Sequence, residues 1–283
     1  MDRSRLRKIL INRIGIPLEE EMVYAGEIST SYLAAGAGEP VLLIHGHSSS
    51  GAICWGSVIT SLSPTFRVIA PDIVGYGESG KPSAPYDKSF FVTWLKNFLD
   101  ALNLDEVSLV GTSLGGSIVS HFTLDYPERV NRMVLVNPAG FGHNFSFGFL
   151  LSTLWRNTFP SRLASKWHRR YMVTNSNEID KEMVDYGLKV TRMHGGRRAF
   201  WQGRGRAVYR IPHESLCRIM QPTLFIHGNR DPVIPLSSLQ IAQQIMPNAQ
   251  LHSIPEGGHS PFLDHPDLFN EILFQFLNGE FGQ

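Results

Sequence analysis

Val107-Ser108-Leu109-Val110-Gly111-Thr112-Ser113-Leu114-Gly115 is the stretch that decides the fold. An apolar run leads into it, and a helix-compatible run, 116–126, leads out. A serine with glycine two residues to either side, set between strand and helix, is the sequence of a nucleophile elbow. The turn is too tight for a side chain at Gly111 or Gly115. The serine is held out at the top of a sheet, over the positive end of a helix. This arrangement predicts a hydrolase that passes through a covalent acyl-serine intermediate.

Outward from the elbow, strand and helix signals alternate. The continuous apolar runs 41–44, 66–70, 107–110 and 133–136 predict strands buried on both faces. Helix-compatible stretches, 51–62, 88–102 and 114–126, separate them. In the second of these, Phe91, Trp94, Leu95, Phe98 and Leu102 share one face. The segments 21–28 and 31–35 predict an antiparallel pair at the sheet edge. Such alternation argues for a mostly parallel sheet of about eight strands with right-handed crossovers. The pattern stops at 142 and resumes with strand 223–226, helix 236–246, strand 250–254 and an amphipathic helix, 268–277. A chain of 283 residues has room for one α/β core, 1–141 and 219–283, split by a helical insertion, 142–218.

The insertion is also set apart by charge. It holds 14 Lys and Arg against 5 Asp and Glu, while the remainder holds 12 against 20, for a net charge of +1. Cys54 and Cys217 match neither a metal-ligand spacing nor a disulfide framework, so both are expected to be free thiols in a reducing compartment. The basic start, 1–8, precedes an apolar run too short for a signal-peptide core, and no run is long enough to span a bilayer. A cytoplasmic location is therefore expected. The sequence contains no internal repeat and no low-complexity tract.

A serine hydroxyl needs a base within hydrogen-bond reach, and the base needs an orienting carboxylate. On such a sheet the chain order is serine, acid, histidine. Asp231, in His227-Gly228-Asn229-Arg230-Asp231-Pro232, follows a strand end, where catalytic groups of open α/β sheets gather. Its competing role is capping the helix after Pro235. At the preceding strand end, the rival acid position holds Asn137. His259, in the glycine-rich Glu256-Gly257-Gly258-His259-Ser260-Pro261, is the expected base; its rival, His265, stands beside Pro266 at a helix start. The oxyanion of the tetrahedral intermediate needs preorganised donors. The backbone N–H groups of Leu114 and of His47, in the loop His45-Gly46-His47-Ser48, are placed to supply them. Neither His45 nor His47 has ligand-spaced partners, so no metal is expected, and the chemistry requires no cofactor.

Together these residues resemble the α/β-hydrolase superfamily. The resemblance runs through His45-Gly46, Pro71-Asp72-Ile73-Val74-Gly75-Tyr76-Gly77-Glu78-Ser79, the Ser113 elbow, Asp231 and His259. It implies an α/β-hydrolase fold, a helical cap at 142–218 and a structural role for Asp72. Serine at the elbow, where epoxide hydrolases and haloalkane dehalogenases carry aspartate, sets those chemistries aside. The length and capped layout are similar to hydrolases of meta-cleavage products. Thr112 and Ser260 stand where that branch usually carries asparagine and tryptophan. The expectation is a carboxylesterase acting on a small-molecule ester. C–C bond hydrolysis and a slow-turnover sensor that keeps the triad are its rivals.

In the insertion, the run from Arg197 to Arg206 interleaves arginine with Phe200 and Trp201. The acidic remainder of the chain argues against a nucleic-acid surface. A solvated helix face with arginines paired to core carboxylates is expected, with steering of anionic substrate as the alternative. The apolar run 144–151, with Leu154 and Trp155, is expected to pack between cap and core, with the lining of an acyl pocket and a lipid-facing surface as alternatives that the sequence leaves open. Monomer and homodimer are equally compatible with the sequence.

Overall fold

The computed structural model describes residues 1–47, 50–174, 180–203 and 210–280. Eight strands form one sheet: β1 (Glu19–Ala25), β2 (Ile28–Ala35), β3 (Pro40–Ile44), β4 (Arg67–Pro71), β5 (Val107–Thr112), β6 (Val130–Val136), β7 (Thr223–Gly228) and β8 (Ala249–Ile254). Their order is β1-β2-β4-β3-β5-β6-β7-β8. β1 and β2 form an antiparallel hairpin, and β2 is antiparallel to β4; every later pairing is parallel. The expected edge pair is present, but Ile28 opens the second strand rather than closing the first. Gly26 takes φ +63° at the two-residue turn, and Ala25 pairs with Ile28 across it.

Alternation along each buried strand divides the core in two. Leu42 and Ile44 face one side of the sheet with α3 (Lys88–Ala101) and α4 (Leu114–Asp125). Phe91, Trp94, Leu95 and Phe98 all pack there, as their helical spacing requires. Val41 and Leu43 face the other side, with α1 (Arg3–Asn12) and α2 (Gly56–Leu62). Each fully buried large apolar side chain contributes about 1.5–3 kcal/mol.

The helix α1 lies at the basic start of the chain, where the sequence reading assigns no element. Asp2 caps it by accepting from Arg5 N–H at 2.8 Å, and Leu6, Arg7 and Leu10 are buried on one face. Arg7 is the unusual one. Its guanidinium donates to Asp72 Oδ2 at 3.2 Å and to the Tyr186 hydroxyl at 2.9 Å, and it also pairs with Glu20. Burial opposes the charge, yet the Asp72 carboxylate and its other partners hold the guanidinium firmly protonated.

Among the described residues between β6 and β7 lie five helices and no strand: α5 (Phe147–Thr158), α6 (Arg162–Arg169), α7 (Lys181–Thr191), α8 (Arg198–Gly203) and α9 (His213–Leu216). The helix α7 carries Tyr186 and packs on α1. The chain closes with α10 (Leu236–Ile245), α11 (Pro261–Asp264) and α12 (Pro266–Leu277); α10 joins the α3 side of the core and α12 the α1 side. Parallel pairing sets Ile44 beside Gly111, Thr112 beside Val136 and Gly228 beside Ile254. All five strand ends that carry the candidate residues therefore share one edge of the sheet.

Candidate active site

Ser113 sits between the last residue of β5 and the first of α4, with φ 51° and ψ −115°. For a residue with a side chain this backbone costs about 1–3 kcal/mol. Its surroundings hold it there. Ser113 N–H donates to Val136 O at 3.0 Å, and Ser113 O accepts from Ala139 N–H at 2.9 Å. The glycine requirement is a matter of close approach. A Cβ on Gly115 would lie 2.1 Å from Ile44 O, and one on Gly111 would lie 2.6 Å from Gly115 O. Gly116 has the same constraint against Pro138, at 2.6 Å, and the pentapeptide pattern passes over it.

His259 Nδ1 and Asp231 Oδ2 are 2.8 Å apart, and the Asp231 side chain is fully shielded from solvent. A carboxylate only accepts, so Nδ1 carries the proton and Nε2 is left as the acceptor. Asp231 Oδ1 accepts from Val233 N–H at 2.7 Å. It does not cap the helix after Pro235, which has no side-chain cap. Ser113 and His259 line one cavity.

Asn137 occupies the rival acid position and ties the site together. Its Nδ2 donates to Gly258 O and His259 O, both at 3.0 Å, and its Oδ1 accepts from Gly228 N–H at 3.2 Å. Asp264 Oδ2 accepts from Gly258 N–H at 2.8 Å. The loop bearing the base is thus fixed from β6, β7 and α11. Nothing local in the sequence marks Asp264 for this; for Asn137 the one signal is its place at a strand end. His265 stands between α11 and α12, outside the cavity wall.

The loop after β3 abuts the elbow, and a Cβ on Gly46 would lie 3.1 Å from Ser113 Cβ. The His45 ring is buried and pins this loop. Its Nε2 accepts from Ile73 N–H at 2.9 Å, so its Nδ1–H donates to Gly46 O at 2.7 Å. Burial pushes its pKa down, which keeps the ring neutral. The His47 ring shares a 2.7 Å hydrogen bond with the Tyr76 hydroxyl and packs on Phe200 of α8. Burial, then repulsion by Arg156 and His45, pushes its pKa down to about 3. Ser48 lies outside the described residues. Further along, Asp72 accepts from Ala52 N–H at 2.6 Å and from Glu78 N–H at 2.8 Å. It therefore shapes the loops below the site and stays out of the cavity.

The cavity has a volume of about 1000 Å³. Phe145, Phe149, Leu150 and Leu188 give it an apolar wall, and Arg156 and His168 are among the polar residues that line it. His168 lies against the hydroxyls of Ser152 and Thr153, and burial holds it neutral. Cys54 also lines the cavity. Burial raises its thiol pKa, so it stays protonated and is a poor rival nucleophile.

The model of the alpha/beta hydrolase fold family matches residues 39–266. The chain belongs to this family. Among its relatives is the 2-hydroxy-6-oxo-2,4-heptadienoate hydrolase of Pseudomonas putida strain F1, 34% identical over 270 residues, with 92% of this chain and 96% of that protein covered. A solved meta-cleavage product hydrolase from Pseudomonas fluorescens IP01 superposes with a TM-score of 0.83 at 29% identity, covering 92% of this chain and 97% of that one. A carboxylesterase from Bacillus subtilis gives a TM-score of 0.89 at 22% identity, covering 98% and 97%; at that identity it speaks for the fold alone.

In this α/β-hydrolase three arginines of 142–218 bind elsewhere than the expected core carboxylates. Arg162 pairs with Asp185 within the segment, Arg192 donates to Pro160 O, and Arg198 donates to Lys81 O. Ion pairs in the opposite sense run from Arg13 of α1 to Asp180 and Glu182 in this segment. Arg204 and Arg206 lie outside the described residues. The apolar run of α5 also departs from expectation, since much of it is exposed.

Proposed function

We propose that this hydrolase cleaves carboxylic esters with an apolar acyl or alcohol part, through an acyl-serine intermediate. Ser113 attacks the carbonyl carbon while His259 Nε2 takes its proton. Asp231 holds the ring in that tautomer and stabilises the imidazolium as it forms. The negative oxygen of the tetrahedral intermediate is received by the N–H groups of Leu114 and His47. Collapse expels the alkoxide, which takes the proton from His259. A water molecule, deprotonated by His259, then attacks the acyl-serine and releases the acid. The segment 142–218 serves as the cap over the site, with the core in 1–141 and 219–283.

The observation that carries this reading is the 2.8 Å His259–Asp231 pair, whose imidazole lines one largely apolar cavity with a strained elbow serine. No step calls for a metal or an organic cofactor.

C–C hydrolysis of a vinylogous diketo acid is the second reading. The relatives named for such substrates favour it, and Arg156 on the cavity wall would suit a substrate carboxylate. The two are separated by one comparison. A nitrophenyl ester series of rising acyl length is assayed beside a meta-cleavage product, with the Ser113→Ala protein as control. Ester kcat/KM above that of the C–C substrate is the expected result, with both activities absent from Ser113→Ala. Turnover confined to the meta-cleavage product would replace the ester reading with the second one.

A further inference from the structure

The amphipathic helix α5 leaves its apolar stripe exposed. Phe147, Leu150, Leu151, Leu154 and Trp155 recur at the spacing of one helix face, and all five are exposed, Phe147 by 80%. The opposite face carries Phe149 together with most of the polar residues. Ser152 and Asn157 are buried, and Thr153 and Arg156 line the cavity. Sequence patterning of this kind ordinarily turns the apolar stripe toward a core. Phe159 and Leu163, each 69% exposed, extend the patch into α6. Scattered exposed apolar residues need no explanation, but a contiguous stripe marks an interaction surface.

Two observations say what covers it. Phe147, Leu150, Leu151 and Leu154 also line the active-site cavity, so the outer patch and the inner wall form one apolar surface around the entrance. The patch is also flanked by cations. Lys166 and Arg170 are exposed and follow Leu163 by three and seven residues, on the same side of α6. The whole segment 142–218 carries 14 Lys and Arg against 5 Asp and Glu. A second copy of this chain would bring two such faces of like charge together. An anionic lipid surface offers complementary charge around an apolar interior, and long basic side chains reach its headgroups while apolar ones enter it. No helix among the described residues is long and apolar enough to cross a membrane, so contact is from one side.

We propose that the outer face of α5 and α6 docks on anionic phospholipid bilayers and presents the cavity entrance to the lipid phase. The test is sedimentation of the full chain, carrying Ser113→Ala to prevent turnover, with two kinds of vesicle. One is phosphatidylcholine alone; the other is equal parts phosphatidylcholine and phosphatidylglycerol. Partitioning to the anionic vesicles, weakened by salt, is expected. Phe159→Ser with Leu163→Ser, and separately Lys166→Glu with Arg170→Glu, should each weaken it by roughly tenfold or more. These four residues lie outside the cavity wall. The same substitutions on an intact Ser113 should leave hydrolysis of a soluble short-chain ester within about twofold of the parent, given their distance from the chemistry.

Equal partitioning to both vesicles, or partitioning that neither pair of substitutions alters, would overturn the proposal. So would a dimer dissolved by Phe159→Ser with Leu163→Ser in a protein that ignores vesicles. Vesicle binding is read without turnover, so loss of the ester reading would leave this result standing.

Discussion

Asp231 divides its two oxygens between two tasks. Oδ1 is fixed by Val233 N–H, and Oδ2 receives the proton on His259 Nδ1. Neither oxygen is free to turn, so the imidazole is held in one tautomer. Asp231→Asn replaces an acceptor by a donor at one of these oxygens. The ring then loses its reason to carry the proton on Nδ1, and Nε2 can no longer take the Ser113 proton as the proposed mechanism requires. The expected outcome is a fall in kcat of about 10³–10⁴-fold with KM little changed, the scale for such a carboxylate-to-amide change. Steady-state kinetics on a soluble ester, with a circular dichroism spectrum matching the parent, would check it. Chain order and strand-end position restrict the proposed Ser113, Asp231 and His259 to one or two candidates each, and the structure pairs Asp231 with His259 and lines one cavity with Ser113 and His259. Asn137 and Asp264 were not legible in these roles. Their partners are backbone groups of the His259 loop, reached only once β6, β7 and α11 are packed together.

Elements differ in how much of their placement is local. The β5–α4 elbow is decided almost entirely by sterics, since its glycines have backbone oxygens where a Cβ would stand. Gly115→Ala would push a methyl group to 2.1 Å from Ile44 O, with no flexible side chain to yield. The expected loss is about 3 kcal/mol or more, beyond ordinary overpacking because backbone must move. Urea denaturation of the folded protein would show it as a lower midpoint at unchanged slope. An unaltered midpoint would mean that α4 does not approach β3 this closely. The helix α5 is the opposite case. Its apolar stripe is plain in the sequence, but periodicity reports which residues share a face and says nothing of which way that face points. The helix α1 was missed for a related reason. It is short, and Arg7, buried on its inner face with Leu6 and Leu10, reads as one more cation in the basic start of the chain.

At the scale of the whole molecule, Arg7 joins parts of the chain that are far apart in sequence. Through Asp72 it reaches the loops beneath the site, and through Tyr186 it reaches α7 of the segment between β6 and β7. Arg13, one helix face away, pairs with Asp180 in the open. The two contacts should differ sharply in worth. Arg7→Met strands the buried Asp72 carboxylate and is expected to cost about 3–5 kcal/mol. Arg13→Met removes a pair screened by water and is expected to cost under about 1 kcal/mol. Thermal unfolding of both variants beside the parent would test the contrast. Equal shifts would mean that the buried pair is not a structural hub. The parallel order of the sheet and its division by a helical segment could be read from alternation. The bridge between the two parts could not, because Arg7 and Tyr186 are 179 residues apart.

The most direct test of the chemistry is to trap the intermediate. Protein mixed with an excess of an activated aryl ester and quenched in acid is examined by intact-mass and peptide mass spectrometry. The expected result is one acyl group per chain, on the peptide containing Ser113, and none on the Ser113→Ala protein. An acyl group on another residue, or undiminished ester turnover by Ser113→Ala, would contradict the assignment of Ser113 as nucleophile.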